Sequence, residues 1–288
     1  MAIFTNQATL SYRNGVINSN VVTGEIVEVL SASKNALKDE YSSGDTLTYV
    51  ISILNSGGTA SNGVSVTDDL GAYTFGESTL VPLSYVDGSV AYYIDGVLQP
   101  QPAVEVGPGL TVSGLTVPAN GNAILIYEAR VNQYAPIAEG GEITNTASVF
   151  GEGVCNELLA TETVTVSGEP LLGITKSVSP LTVAENGQLT YTFTIQNFGN
   201  TDAVATDDLT VTDTFDPVLS PITVTYNGTV WSEGVEYTYA PDTGSFATVP
   251  SNITVPAADI AQDPETGEWN VTPGVSVITV TGTVRCDG

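Results

Sequence analysis

The 288-residue chain contains no histidine, one methionine, two cysteines and only six basic residues. The lack of histidine excludes Ser-His-Asp and Cys-His relays and imidazole metal ligands. Cys155 and Cys286 are too few for a disulfide framework and lie far from any CxxC spacing. They are candidates for a single disulfide, with Cys286 able to link chains and Cys155 equally readable as a small buried residue. Six Lys and Arg against 32 Asp and Glu leave a formal charge of −26. Such a chain repels phosphate backbones and anionic lipid, so no nucleic acid and no membrane is expected as a partner. No apolar run approaches a membrane span, and no basic, apolar leader precedes Phe4. If the protein works outside the cell, the expectation is exit by another route, such as lysis of the producing cell, with a leader already cleaved away as the alternative. With no nucleophile, base or metal constellation, neither an enzyme nor a cofactor is expected. The pairs Asp68-Asp69 and Asp207-Asp208 lack calcium-loop spacing and read as solvated turns, so no metal is assigned. Trp231 and Trp269 read as packing residues.

What is present points to strands. Hydrophobic residues make up 42% and charged residues only 13%, enough apolar matter for two cores. Thr, Val, Ser, Gly and Tyr recur throughout, which suits strands and turns. Thr46 to Ile53 alternates apolar positions and is followed by the turn Asn55-Ser56-Gly57-Gly58. Val64–Asp68, Val81–Tyr85, Ala91–Ile94 and Leu110–Leu115 are further strand candidates, with hairpin turns at Asp87-Gly88 and Asp95-Gly96. Ala123 to Val131 is the longest apolar stretch and belongs in the middle of a sheet.

Past Ser167-Gly168-Glu169-Pro170 the pattern restarts. Lys34, Tyr49, Asn55 and Gly57 recur 142 residues later as Lys176, Tyr191, Asn197 and Gly199. After a small insertion near Asp207, Leu209–Asp213 repeats Val64–Asp68, Thr225–Val230 echoes Ser84–Val90, and Ser276–Val284 repeats Ala123–Val131. The fold class expected is all-β: two tandem immunoglobulin-like β-sandwich domains, residues 30–168 and 169–288, preceded by a donor strand or hairpin at 1–29. A barrel is the other closed all-β arrangement that this spacing allows.

The runs Gly44-Asp45-Thr46-Leu47-Thr48-Tyr49, Leu54-Asn55-Ser56-Gly57, Val66-Thr67-Asp68 and Ile143-Thr144-Asn145-Thr146-Ala147-Ser148-Val149 resemble the bacterial surface repeat called domain of unknown function 11. Ile174-Thr175-Lys176, Leu189-Thr190-Tyr191 and Val211-Thr212-Asp213 carry it through the second copy. The leaderless acidic chain is also similar to proteins that build clostridial endospore appendages. The resemblance implies an extracellular, spore- or cell-surface structural role and says little of chemistry, because members serve as stalks, adhesins and layers.

The second copy departs from the pattern by ending without the Asn-Thr-Ala-Ser strand and its partner. In the first copy that closing hairpin is Ile143–Val149 with Glu157–Val164. The chain opens with a similar one, Phe4–Leu10 followed by Asn20–Val27, with Asn6 on Asn145 and Glu25 on Glu162. A sandwich without its last hairpin leaves an open sheet edge and a strip of core. The expectation is that residues 3–29 of one molecule close the second domain of another, giving a head-to-tail homopolymer to which other appendage proteins can add. Phe4, Ala8, Leu10, Tyr12, Val21, Val22 and Val27 would form the contact. About five connector residues, roughly 17 Å at most, precede Lys34, which disfavours self-closure. Extension of the first domain by the same strands is the remaining alternative. A monomeric adhesin or carbohydrate-binding module is the rival function.

Two of the three lysines occupy the equivalent positions 34 and 176. Asp68 and Asp213 end matching strands; Asn145 or a neighbour's Asn6 lies on the closing hairpin. These sets resemble the isopeptide crosslinks of Gram-positive surface proteins, which implies Lys34–Asn145 and Lys176–Asn6 bonds. The alternative is two ion pairs, with the asparagines satisfying turns or backbone groups.

Overall fold

The computed structural model describes residues 2–152, 154 and 156–285. Their secondary structure is β throughout, apart from one 3-10 turn at Ala205–Asp207. Ahead of the sandwiches stand four short strands, β1 (Ala2–Asn6), β2 (Thr9–Tyr12), β3 (Gly15–Asn18) and β4 (Val22–Ile26). The chain divides into two compact units between Thr165 and Val166; these four strands are grouped with the first, and Pro136–Gly141 with the second.

The first unit uses β5 (Leu30–Ala36), β6 (Thr46–Asn55), β7 (Ser61–Asp68), β8 (Ala91–Ile94), β9 (Leu110–Val117), β10 (Gly121–Val131), β11 (Glu142–Phe150) and β12 (Leu158–Val166). One antiparallel sheet runs Val97–Leu98, β8, β10, β6, β5; the other runs Ala103–Val106, β9, β7, β11, β12, Glu40–Tyr41. Period-two patterning drives the layering: Leu47, Tyr49, Ile51 and Ile53 of β6 are buried while the residues between them are not. β10 lies between β8 and β6, as its apolar length predicts. Two sheets facing one core make an immunoglobulin-like sandwich.

The second unit repeats only part of this plan. Its larger sheet runs β13 (Leu172–Ser179), β14 (Gln188–Asn197), β18 (Gly274–Val284), β16 (Leu219–Tyr226) and Thr229–Val230. The facing sheet has three strands, β15 (Thr212–Thr214), β17 (Ser245–Thr248) and Tyr237–Ala240. Phenylalanine rings enter this core, where the buried aromatics of the first unit are tyrosines: Phe215 packs on Tyr191 at 5.0 Å and on Phe246 at 5.5 Å. Trp231 is buried and stacks on Tyr226, a packing role.

Several details differ from the sequence reading. Leu30–Ser33 is strand rather than connector, because Leu30 is a core residue, and this leaves only Val27–Val29 between the hairpin and the sandwich. Tyr226 faces Ile278 as Tyr92 faces Leu125, so Thr225–Val230 corresponds to the hairpin of Ala91–Leu98 and not to Ser84–Val90. The turn sequences Asp87-Gly88 and Asn227-Gly228 look alike, but strand pairing decides the equivalence. An unanticipated hairpin, Asp259–Gln262 with Trp269–Thr272, precedes β18.

Because the two sandwiches have separate cores, a cavity in one should spare the other. Leu115→Ala, at a fully buried site, is expected to lower the first unit's stability by about 2–5 kcal/mol. Denaturant titration followed by hydrogen exchange should show early exchange in β6, β9 and β10, with the second unit unmoved.

Candidate functional site

In the first unit the lid strands β11 and β12 cover a polar cluster. Lys34 on β5 donates from Nζ to Asp68 Oδ2 at 2.6 Å, and Tyr127 on β10 donates its hydroxyl to the same oxygen at 2.7 Å. Asn145 Nδ2 on β11 donates to Tyr127 Oη at 3.0 Å, and the Leu70 N–H donates to Asp68 Oδ1 at 3.0 Å. The structure therefore gathers Lys34, Asp68 and Asn145 in one buried pocket, but joins lysine to asparagine through Asp68 and Tyr127. Burial pushes the Lys34 ammonium below its ordinary range, an effect opposed by the charge of Asp68. Burial likewise pushes the Tyr127 and Tyr49 hydroxyls up. Asn145 Oδ1 and Tyr49 Oη, neighbours in this pocket, lack a hydrogen bond of good geometry. Tyr127 is the member that sequence reasoning missed. Its signal was an inward position on the longest strand, opposite Tyr49, on which it stacks at 5.5 Å.

The same cluster in the second unit is uncovered. Lys176 Nζ pairs with Asp213, over the rings of Tyr191 at 4.5 Å and Phe193 and Phe215 at 5.6 Å each. Its side chain is 40% exposed and that of Asp213 18%, against 0% and 2% for Lys34 and Asp68. Leu172 is 41% exposed where its counterpart Leu30 is 7%. Val280 stands at the position of Tyr127, each facing the tyrosine of the adjacent strand, so the bridging hydroxyl is absent. In the first unit β11 pairs with β7, placing Ala147 opposite Asp68 and Val149 opposite Val66. Among the described residues no strand takes that place beside β15. A groove of about 180 Å³ runs there instead, lined by Leu172, Ile174, Ile195, Leu209, Val211 and Ile253.

The N-terminal strands have the opposite character. β1 pairs with β4 from Ala2↔Ile26 to Asn6↔Val22, and β2 with β3 from Thr9↔Asn18 to Tyr12↔Gly15. The two pairs form one long hairpin, joined by the Ser19 N–H donating to Ala8 O at 2.9 Å. Phe4, Leu10, Tyr12, Val21, Val22 and Val27 are all half exposed or more, and Asn6 and Ala8 are exposed with them. Asn6 lies opposite Val22 and Glu25 opposite Ile3, whereas Asn145 faces Glu162. Glu25 therefore does not take the place of Glu162; Val22 does. The register is held by rings lying over glycines: a Cβ on Gly24 would come within 2.4 Å of the Phe4 ring, and one on Gly15 within 2.9 Å of the Tyr12 ring. Cys155 and Cys286 lie outside the described residues.

No family model matches the chain, and no curated protein matches it. Among solved structures, the chain is similar to BcpA, the major pilin subunit of Bacillus cereus. Identity is 15%, with 94% of this chain and 73% of that one covered and a TM-score of 0.36. The 35 kDa C-terminal fragment of the major pilin GBS80 of Streptococcus agalactiae is 12% identical over 86% of this chain and 91% of that one, with a TM-score of 0.34. The collagen-binding domain of a Staphylococcus aureus adhesin is 11% identical over 49% of this chain and 99% of that one, with a TM-score of 0.31. At such scores none of the three bears on what this chain does.

The contrast between closed and open clusters has energetic consequences. Asp68→Ala strands a buried ammonium and is expected to cost the first unit about 3–5 kcal/mol. The exposed pair is screened, so Asp213→Ala should cost the second unit about 1 kcal/mol or less. While the Lys34 amine is free of any amide bond, the pH profile of the first unit should be peaked. Lys34, depressed in the fold, binds its proton more readily when unfolded, so stability rises with pH up to its ordinary value of 10.5. Tyr49 and Tyr127 keep their protons in the fold but ionise near 10.0 when unfolded, so stability falls above that pH. Denaturation between about pH 7 and 11.5 checks the sign of both limbs.

Proposed function

We propose that the chain belongs to the domain of unknown function 11 surface repeats. In this reading it is the structural subunit of an extracellular fibre or ribbon of the spore-appendage kind. Subunits join head to tail when the hairpin β1–β4 of one copy closes the open second sandwich of the next. The observation that carries this reading is the paired mismatch: one lysine–aspartate cluster is sealed by a hairpin, its repeat is bare, and a spare hairpin with exposed apolar residues stands at the other terminus. If Asn6 takes the place of Asn145, Ala8 falls opposite Asp213 as Ala147 falls opposite Asp68. Leu10 then falls opposite Val211, over the groove. Full burial of Phe4, Leu10, Tyr12 and Val22 stabilises the contact by roughly 1.5–3 kcal/mol each before ordering costs. Donor and acceptor are different surfaces, so the contact repeats without closing unless the rotation forms a ring.

The same docking sets Asn6 beside Lys176 and Asp213, the set that the first unit holds as Asn145, Lys34 and Asp68. A neutral lysine Nζ attacks the asparagine Cγ, forming a C–N bond. The bond from Cγ to Nδ2 breaks, and ammonia leaves with the proton that the aspartate has carried across. Lys34–Asn145 locks the first sandwich; Lys176–Asn6 joins subunits covalently.

Three measurements test this reading. Leu10→Glu with Val22→Glu should abolish fibres in electron micrographs while leaving a folded monomer; fibres of normal length from that variant would refute hairpin donation. Intact-mass spectrometry of monomer should find the chain lighter by one ammonia for the Lys34–Asn145 bond, a loss absent in Lys34→Arg. Fibres should resist dissolution in hot detergent unless Lys176 or Asn6 is replaced.

A further inference from the structure

We propose that the outer face of the larger sheet of the second unit is a lateral contact surface for the same face of a second copy. In a chain of net charge −26, the five strands of this sheet contain a single charged residue, Lys176. That lysine points to the opposite face, where it pairs with Asp213 across the core. The outer face is therefore uncharged from edge to edge. The corresponding sheet of the first unit is not: Glu128 and Arg130 of β10 stand exposed on it.

Strand register makes the face regular as well as neutral. Ser179, Thr190, Thr281 and Thr223 form one row across β13, β14, β18 and β16. The next row is Ser177, Thr192, Thr279 and Thr225. Neighbouring hydroxyls already bond within the rows, Thr190 to Thr281 at 2.8 Å and Thr225 to Thr279 at 2.6 Å, so the side chains are held before any partner arrives. A hydroxyl is both donor and acceptor, so two copies of this lattice can hydrogen-bond to one another about a two-fold axis while their methyl groups interlock.

The occupant follows from the same facts. A glycan would be met by aromatic side chains, but the aromatic residues of β14, Tyr191 and Phe193, face the core. A charged partner has nothing here to pair with. A second copy can approach this face with less repulsion than its acidic surfaces allow. The contact is separate from the groove beside β15, which lies on the other side of the sheet, so it joins fibres side by side and does not depend on how they are built end to end.

The test compares the full chain with Thr192→Glu/Thr279→Glu and with Thr225→Lys/Thr279→Lys, each first shown by circular dichroism and thermal melting to be folded. Micrographs of assembled protein should show wild-type filaments pairing, more so as salt screens the acidic surfaces, and both variants remaining single with an unchanged axial repeat. The lysine variant reduces the net negative charge and would favour indiscriminate association, so its loss of pairing assigns the effect to this face. If the chain forms no fibres, sedimentation equilibrium reads the same surface: wild-type dimers strengthening with salt, and both variants at least tenfold weaker. Pairing that survives both substitutions, or a wild type that stays single and monomeric at every salt concentration, overturns the proposal.

Discussion

An ammonium and a carboxylate can be taken out of water together only when the geometry is good and the remaining lone pairs and protons are met. In the first sandwich a roof goes far toward meeting that condition: β11 and β12 bring Asn145 over the Lys34–Asp68 pair, and Tyr127 supplies the hydroxyl between them. Without the roof the same pair must stay wet. That is its state in the second sandwich, where Lys176 and Asp213 sit at the rim of an apolar groove. The two halves of one sequence pattern thus display the same charges with and without the strands that allow their burial.

The edge beside β15, unpaired among the described residues, and the exposed apolar residues of the hairpin are each a liability in an isolated molecule. In the proposed assembly they complement one another, and a chain of net charge −26 gains from having few neutral places at which copies can meet. In that proposed assembly, acidic surface keeps subunits apart except where strand edges, apolar side chains or the threonine lattice outweigh repulsion. In this reading the charge is part of the specificity of assembly, because it disfavours the wrong contacts more than the right ones.

Much of the architecture was legible because β structure writes its faces in a period of two and because the pattern occurs twice. The spacing of Lys34, Tyr49 and Asn55 and its return at Lys176, Tyr191 and Asn197 mark equivalent strands, and both lysines meet the aspartates expected of them. What the residues did not disclose was set by pairing across strands. The hairpin register follows from the Phe4 ring over Gly24 and the Tyr12 ring over Gly15, so the resemblance of Glu25 to Glu162 misled. Tyr127 hid inside an apolar run, where a tyrosine reads as core until Asp68 is placed beside it. The turn Asn227-Gly228 has look-alikes at two places in the first unit, and only its pairing with β18 chooses between them.

The central claim is that the second sandwich is finished by the hairpin of another molecule. Backbone hydrogen exchange compared between dispersed and assembled full-length chain tests it most directly. The account predicts strong new protection on assembly at residues 2–27, at 172–178 and at 209–214, with β5 to β12 unchanged. Assembly that leaves those three segments exchanging as fast as they do in the dispersed chain would contradict it.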